Sequence, residues 1–194
     1  GAVLTYGFAV GAGWPMWAAA CLALALCAAY GVVVELVAVR PFVRRGSNAW
    51  LMSTVALGIV LDNAVLFTFG KEPRSLPSEL AQSSLKLGDV GLGVSPLQVL
   101  IPVAGLALAA ALHAASRHTG IGRAMLAVAQ NPDAARLMGI NVTAVVMAAY
   151  ALSTLFAGAA GILIAPLFYL QADMGTVFGL KAFAVAILGG VTSA

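Results

Sequence analysis

Residues 14–39 read WPMWAAACLALALCAAYGVVVELVAV. A helix that spans a bilayer needs about 20 consecutive apolar residues, and Trp14–Val39 exceeds that length with Glu35 as its one carboxylate. Trp14 and Trp17 open the run, where amphipathic indole rings suit a headgroup interface. Arg40-Pro41 closes it with a charge and a helix breaker. This stretch predicts a transmembrane α-helix.

Outward from it the pattern repeats. Ala49–Phe69, Pro96–Ala115 and Thr143–Ala165 are three further apolar runs of spanning length. Shorter runs flank them: Gly1–Gly11 reads as the tail of an earlier span and Lys181–Ala194 as the start of a later one. The expectation is an all-α fold, a polytopic transmembrane helical bundle with four complete spans and partial spans at both ends. The chain starts at Gly1 without a Met, and its last residues stop inside an apolar segment, so a fragment of a longer parent is expected. Composition agrees. Of 194 residues, 62% are hydrophobic and 9% charged, and mean hydropathy is +1.01. Soluble domains are about 45–50% apolar and about 25% charged, so this composition argues against a soluble globular domain.

The connecting segments then alternate between two sides. Arg40–Arg45 and Arg117–Asn141 share one side; Lys71–Ser95 and Pro166–Leu180 share the other. Six basic residues (Arg40, Arg44, Arg45, Arg117, Arg123, Arg136) face four (Lys71, Arg74, Lys86, Lys181). Lys and Arg concentrate on the cytoplasmic side, which puts the first side in the cytoplasm. The net charge of +3 is therefore read as orientation, and no nucleic-acid partner is expected. The whole chain, 1–194, reads as a single transmembrane domain, with an extracytoplasmic loop at 70–95 and a cytoplasmic loop at 117–141. In the former, the Gly-punctuated stretch 85–94 predicts a small hairpin.

Several chemistries find no support. Cys21 and Cys27 lie six apart in one apolar run, on different helix faces, and read as buried thiols. His113 and His118 are five apart, poor spacing for a shared metal on a helix. CxxC, HExxH and GxSxG are absent from the sequence. A nucleotide-binding loop ends in Gly-Lys-Ser/Thr, whereas Gly70-Lys71 continues into Glu72. No cofactor, no metal and no covalent chemistry are expected.

The loop at 117–141 has internal design. Ile121, Met125 and Val128 recur at helical spacing, with Ala124 and Ala129 beside them. Asn131 is a strong N-cap, Pro132 suits the first helical position, and Asp133 complements the helix dipole. Gly139 suits a left-handed terminator and Ile140 the closing apolar contact. A short, separately capped helix is predicted at about 132–138. Both a plain connector and a docking element pushed by a soluble partner fit these signals.

The same loop carries a family resemblance. Gly120-x-Gly122-Arg123-Ala124-Met125 and Ala135-Arg136-Leu137-Met138-Gly139-Ile140-Asn141-Val142 resemble the cytoplasmic loop of the LivH-type permeases of branched-chain amino-acid ABC transporters. Asp133–Gly139 also resembles the Glu-Ala-Ala-x-x-x-Gly coupling motif of importer permeases, with Asp for Glu. Glu35-Leu36-Val37-Ala38-Val39-Arg40-Pro41 is similar to the family's Glu-Arg-x-x-x-Arg-Pro stretch, with Leu36 in place of Arg. Ser53–Asn63 resembles its Thr-Ile-Gly-x-Ser-x-x-Leu-Gln-Asn span, departing at Ala56-Leu57-Gly58 and Asp62. Ala157–Gly161 and Gly179–Gly190 match as well. The resemblance implies a permease of the bacterial cytoplasmic membrane. Its partners would be a second permease subunit, two cytoplasmic ATP-binding subunits, and a periplasmic or lipid-anchored solute-binding protein. It implies coupling to the ATPase through Arg123, Asp133, Ala134, Ala135, Arg136 and Gly139. It also implies further spans, with an Asn-Phe-Ala-His-Gly block before Gly1 and others after Ala194.

Ionisable and polar groups within spans are functional candidates. Thr54, Gly58 and Asp62 fall at i, i+4 and i+8, with Asn63 adjacent. This line either borders a translocation path or makes buried interhelical hydrogen bonds. Thr154, Gly158, Gly161 and Ala165 form a small-residue line suited to close helix packing, and Gly7-x-x-x-Gly11 reads the same way. Glu35 and Arg40 suit a local ion pair or snorkelling at the cytoplasmic edge. Lys181, at the expected outer end of a span, either snorkels or meets a substrate carboxylate. The function expected is an ABC importer permease for branched-chain amino acids or related small polar solutes. A urea or short-amide permease of the same family, and an ion-coupled secondary transporter using Asp62, are the alternatives.

Overall fold

The computed structural model describes residues 1–11, 13–43, 49–70, 85–86, 93–94, 96–168, 170 and 174–189. Helix α1 (Ala2–Tyr6) runs into a π turn at Gly7–Gly11. Helix α2 (Met16–Val34) runs into a second π turn at Glu35–Val39 and then α3 (Arg40–Val43). Helix α4 is Trp50–Phe69, and strands β1 (Leu85–Lys86) and β2 (Gly93–Val94) follow. Then come α5 (Pro96–His118), α6 (Gly120–Gln130), α7 (Pro132–Leu137), α8 (Val142–Ile164) and α9 (Met174–Leu188). Met16–Phe42, Met52–Phe69, Gln98–His118 and Val142–Ile164 are long and apolar enough to cross a membrane. These are the four expected spans, with ends shifted by a few residues. The strands pair antiparallel, Leu85 with Val94 and Lys86 with Gly93, which gives the expected hairpin.

Among the described residues the most extensive helix–helix packing is α2 against α8. Its seam is built from small residues. A β-carbon on Gly31 would collide with the Thr154 hydroxyl and the Tyr150 carbonyl, and one on Gly158 would sit 2.9 Å from Cys27 Sγ. Lipid tails are as apolar as Leu, so membrane helices associate by close backbone approach more than by hydrophobic exclusion. The line Thr154–Gly158–Gly161–Ala165 does this along its length. Gly161 faces Ala2, and Ala165 is buried with Ala2 and Leu170. Tyr6 and Phe69 close that end with an edge-to-face contact, centroids 5.4 Å apart. By contrast α4, α5 and α9 present apolar side chains outward, among them Phe67, Leu106 and Leu188. In a bilayer this carries no hydrophobic penalty.

Three expectations need correction. Helix α9 begins at Met174, not at Lys181. Gly175, Thr176 and Gly179 lower helix propensity there, but the surrounding apolar residues continue the helix. Lys181 therefore sits mid-helix, its ammonium 5.7 Å from the Phe178 ring centroid. Cys21 is exposed, while Cys27 is buried; both thiols are free. Gly7 and Gly11 meet no neighbour within 4 Å among the described residues, so they are not a packing line here. Glu35 and Arg40 make the expected local ion pair at 4.0 Å, with Glu35 buried. Arg44, Arg45, Arg74 and Glu79 lie outside the described residues.

Candidate coupling helix and translocation face

The loop between α5 and α8 is a chain of caps. The Thr119 hydroxyl accepts from the Gly122 amide at 3.0 Å and starts α6. A β-carbon on Gly122 would collide with the Ala115 carbonyl, so glycine permits the tight α5–α6 corner. Asn131 ends α6 and begins α7. Its Oδ1 accepts from the amides of Asp133 at 3.1 Å and Ala134 at 3.0 Å. Two of the amides that a helix start leaves without intrahelical partners are satisfied this way. Pro132 takes the first position. Asp133 accepts from Arg136 Nη1 at 3.3 Å, one turn on. Both side chains are exposed, so the pair adds little stability.

The C-terminus of α7 is a Schellman motif. Gly139 N–H donates to the Arg136 carbonyl and Ile140 N–H to the Ala135 carbonyl, each at 3.0 Å. Gly139 takes φ +80°, as the motif requires. Asn141 then caps α8, accepting from Ala144 N–H at 3.2 Å. A six-residue helix is marginal by itself; here caps at both ends stabilise it.

Its two faces differ. Ala135 is 3% exposed and packs inward, so it is not free to admit a partner. Leu137 and Met138, 90% and 82% exposed, stand outward beside Asp133 and Arg136. Sequence reading did not single out that apolar pair. The signal was two large apolar residues next to a helix terminator, off the inward face. Arg123 is exposed on α6, and among the described residues no ion pair joins it to Asp133. Ile121 is exposed, so the expected α6 stripe turns inward only at Ala124, Met125 and Val128.

On α4, Thr54 and Asp62 are half-buried, and Gly58 and Asn63 are exposed. Thr176 Oγ1 of α9 donates to Asp62 Oδ2 at 2.5 Å. Asn63 Nδ2 turns back to the Ile59 carbonyl at 2.8 Å. Thr176 was missed because its segment reads as loop. Its hydroxyl becomes a partner only when α9 is helical from Met174. Among the described residues no His, Cys, Asp and Glu group is arranged to hold a metal ion.

Residues 1–194 match throughout the family described as branched-chain amino acid transport system / permease component. The chain belongs to this permease family. Branched-chain permeases of this type are ABC-transporter components, and with four helices of membrane length the chain is a multi-pass inner-membrane protein. It is 30% identical over 186 residues to the high-affinity branched-chain amino acid transport system permease protein LivH of Escherichia coli K12, covering 93% of this chain and 60% of that protein. It is 28% identical over 187 residues to BraD of Pseudomonas aeruginosa, covering 92% and 59%. The ribose import permease protein RbsC of E. coli K12 is 33% identical over 175 residues, covering 89% and 52%. The chain thus spans about 60% or less of the length of these relatives. No solved structure matches it.

Proposed function

We propose that the chain is the translocating permease component of a bacterial ABC importer for branched-chain amino acids. It works with a second permease subunit, two cytoplasmic ATP-binding subunits and an extracytoplasmic solute-binding protein. The observation that carries this reading is α7, a six-residue helix capped at both ends between two spans, with Asp133, Arg136, Leu137 and Met138 on its outer face. A connector needs no such rigidity, whereas force from a soluble motor passes only through a stiff element. The motor subunits close on ATP, press on α7 and drive α8, which starts at Val142 after a four-residue link from Leu137. Arg123, Asp133, Ala134, Arg136 and Gly139 form or shape the contact, with Ala135 anchoring it from within. Thr54, Gly58, Asp62 and Asn63 border the path on α4.

The likeness to a ribose permease supports a sugar as a second substrate class. Reconstitution of the full-length permease with its ATP-binding subunits and binding protein tests both readings. ATP-dependent uptake of leucine, isoleucine or valine is expected, and ribose should not compete. Uptake of ribose alone would replace the substrate. Uptake driven by a sodium or proton gradient without ATP would end the ABC mechanism.

A further inference from the structure

At the cytoplasmic end of α2 the chain leaves α-helical winding for one turn. Arg40 N–H donates to the Glu35 carbonyl, five residues back, and residues Glu35–Val39 form a π turn. In an α-helix, residues five apart point about 140° away from each other. The wider π turn stacks the fifth residue over the first, so it is the winding that brings Arg40 onto the face of Glu35. The resulting pair is incomplete. Arg40 Nε lies 4.0 Å from Glu35 Oε1, beyond hydrogen-bond distance. Glu35 Oε2 and Arg40 Nε are both buried with no hydrogen-bond partner among the described residues. A buried ion pair repays its desolvation only with good geometry and satisfied remaining atoms. Here neither condition is met.

The end of the turn is also short of a hydrogen bond. Pro41 has no N–H, so the carbonyl it would serve in either winding goes without it. The turn packs against α4 and α8. On α8, the Tyr150 carbonyl rests against Gly31, one turn before Glu35.

We infer that the Glu35–Val39 π turn is a two-state register switch of the transport cycle, with Glu35 and Arg40 as its positioning pair. In the observed state the π winding holds the pair on one face. Rewinding to α turns Arg40 and the segment beyond it by about 100° and shifts it by about 1.5 Å. Arg40 then leaves the face of Glu35. The switch joins α8, which follows the coupling helix, to α4, which carries Asp62. The inference rests on the coupling reading above.

The test uses a property of π turns: each is an α-helix with one residue inserted. Deleting Val37, which is 61% exposed and leaves no cavity, converts the turn to α winding with both flanks in their present register. Glu35 and the arginine then stand four apart, paired on one face, but the second register is gone. In the full-length permease with its ATP-binding subunits, ΔVal37 should insert, assemble and hydrolyse ATP. Substrate moved per ATP should fall by about tenfold or more, within the usual range of coupling between two sites, because one of the two windings is gone. Wild-type transport per ATP in ΔVal37 overturns the switch and leaves the turn as a packing adjustment. If ΔVal37 does not insert, spin labels at Phe42→Cys and Ser153→Cys decide. Between nucleotide-free and vanadate-trapped transporter their separation should change by about 5 Å or more, the scale of such a rotation on a helix of roughly 5 Å radius; an unchanged distance overturns the proposal. Absence of any ATP-dependent uptake by the wild type would instead remove the coupling reading, and the switch with it.

Discussion

The Ile140 amide donates to the Ala135 carbonyl at 3.0 Å, closing α7 back on its own inward face. That bond forms only because Gly139 turns the chain through φ +80°. A non-glycine residue in that region costs about 1–2 kcal/mol, and a β-branched one more. Gly139→Val should therefore loosen α7 while leaving the spans inserted. ATP-coupled uptake should be lost, and Gly139→Asn, which tolerates the left-handed region, should recover part of it. Normal coupled transport by the valine variant would reduce α7 to a connector.

At the other end of α7, Asn131→Ala removes the acceptor for two amides. The expected loss is about 1 kcal/mol of local helix stability. Amide exchange over 132–138 should speed up in the variant, with the protection of α8 unchanged. Unchanged exchange in α7 would show that its packing, not its cap, holds it.

Asp62 and Thr176 give the α4–α9 contact a polar tie. Asp62→Asn keeps an acceptor for the Thr176 hydroxyl, so insertion and most transport should survive. Thr176→Val removes the donor; interhelical hydrogen bonds in membranes contribute about 0.6 kcal/mol, up to roughly 1.7. Thermal stability in detergent should drop accordingly. Loss of transport in Asp62→Asn together with dependence on a proton or sodium gradient would favour a secondary transporter.

The α2–α8 seam should be intolerant of bulk. Gly158→Leu drives a side chain into Cys27 and Leu24, and Gly31→Leu into Thr154 and Tyr150. Overpacking costs about 1–3 kcal/mol, and these two sites meet backbone or tightly packed atoms. Both variants should express poorly or lose assembly, whereas Gly58→Ala, with open space at its Cα, should be near neutral. Equal expression of all three would mean that the helices are not packed this way.

Topology is open to labelling. Arg136→Cys should react with a membrane-impermeant thiol reagent only from the cytoplasmic side, and Glu79→Cys only from outside. The reverse pattern would invert the orientation.

Sequence alone determined the class of the fold and much of the loop. Spans are legible because the bilayer leaves a chain no alternative to satisfying its backbone inside each helix, so an apolar run of sufficient length is already a statement of structure. The α7 caps are legible because capping is local: Asn131, Pro132 and Gly139 act on backbone within a few residues of themselves. Tertiary structure decided what depends on distant partners. Asp62 meets a hydroxyl 114 positions away in the chain, and Thr176 reads as loop until its surroundings make it helical. The π turn at Glu35 carries no sequence period of its own. It lies where the end of α2 packs against both α4 and α8, contacts with segments far along the chain that no local pattern encodes.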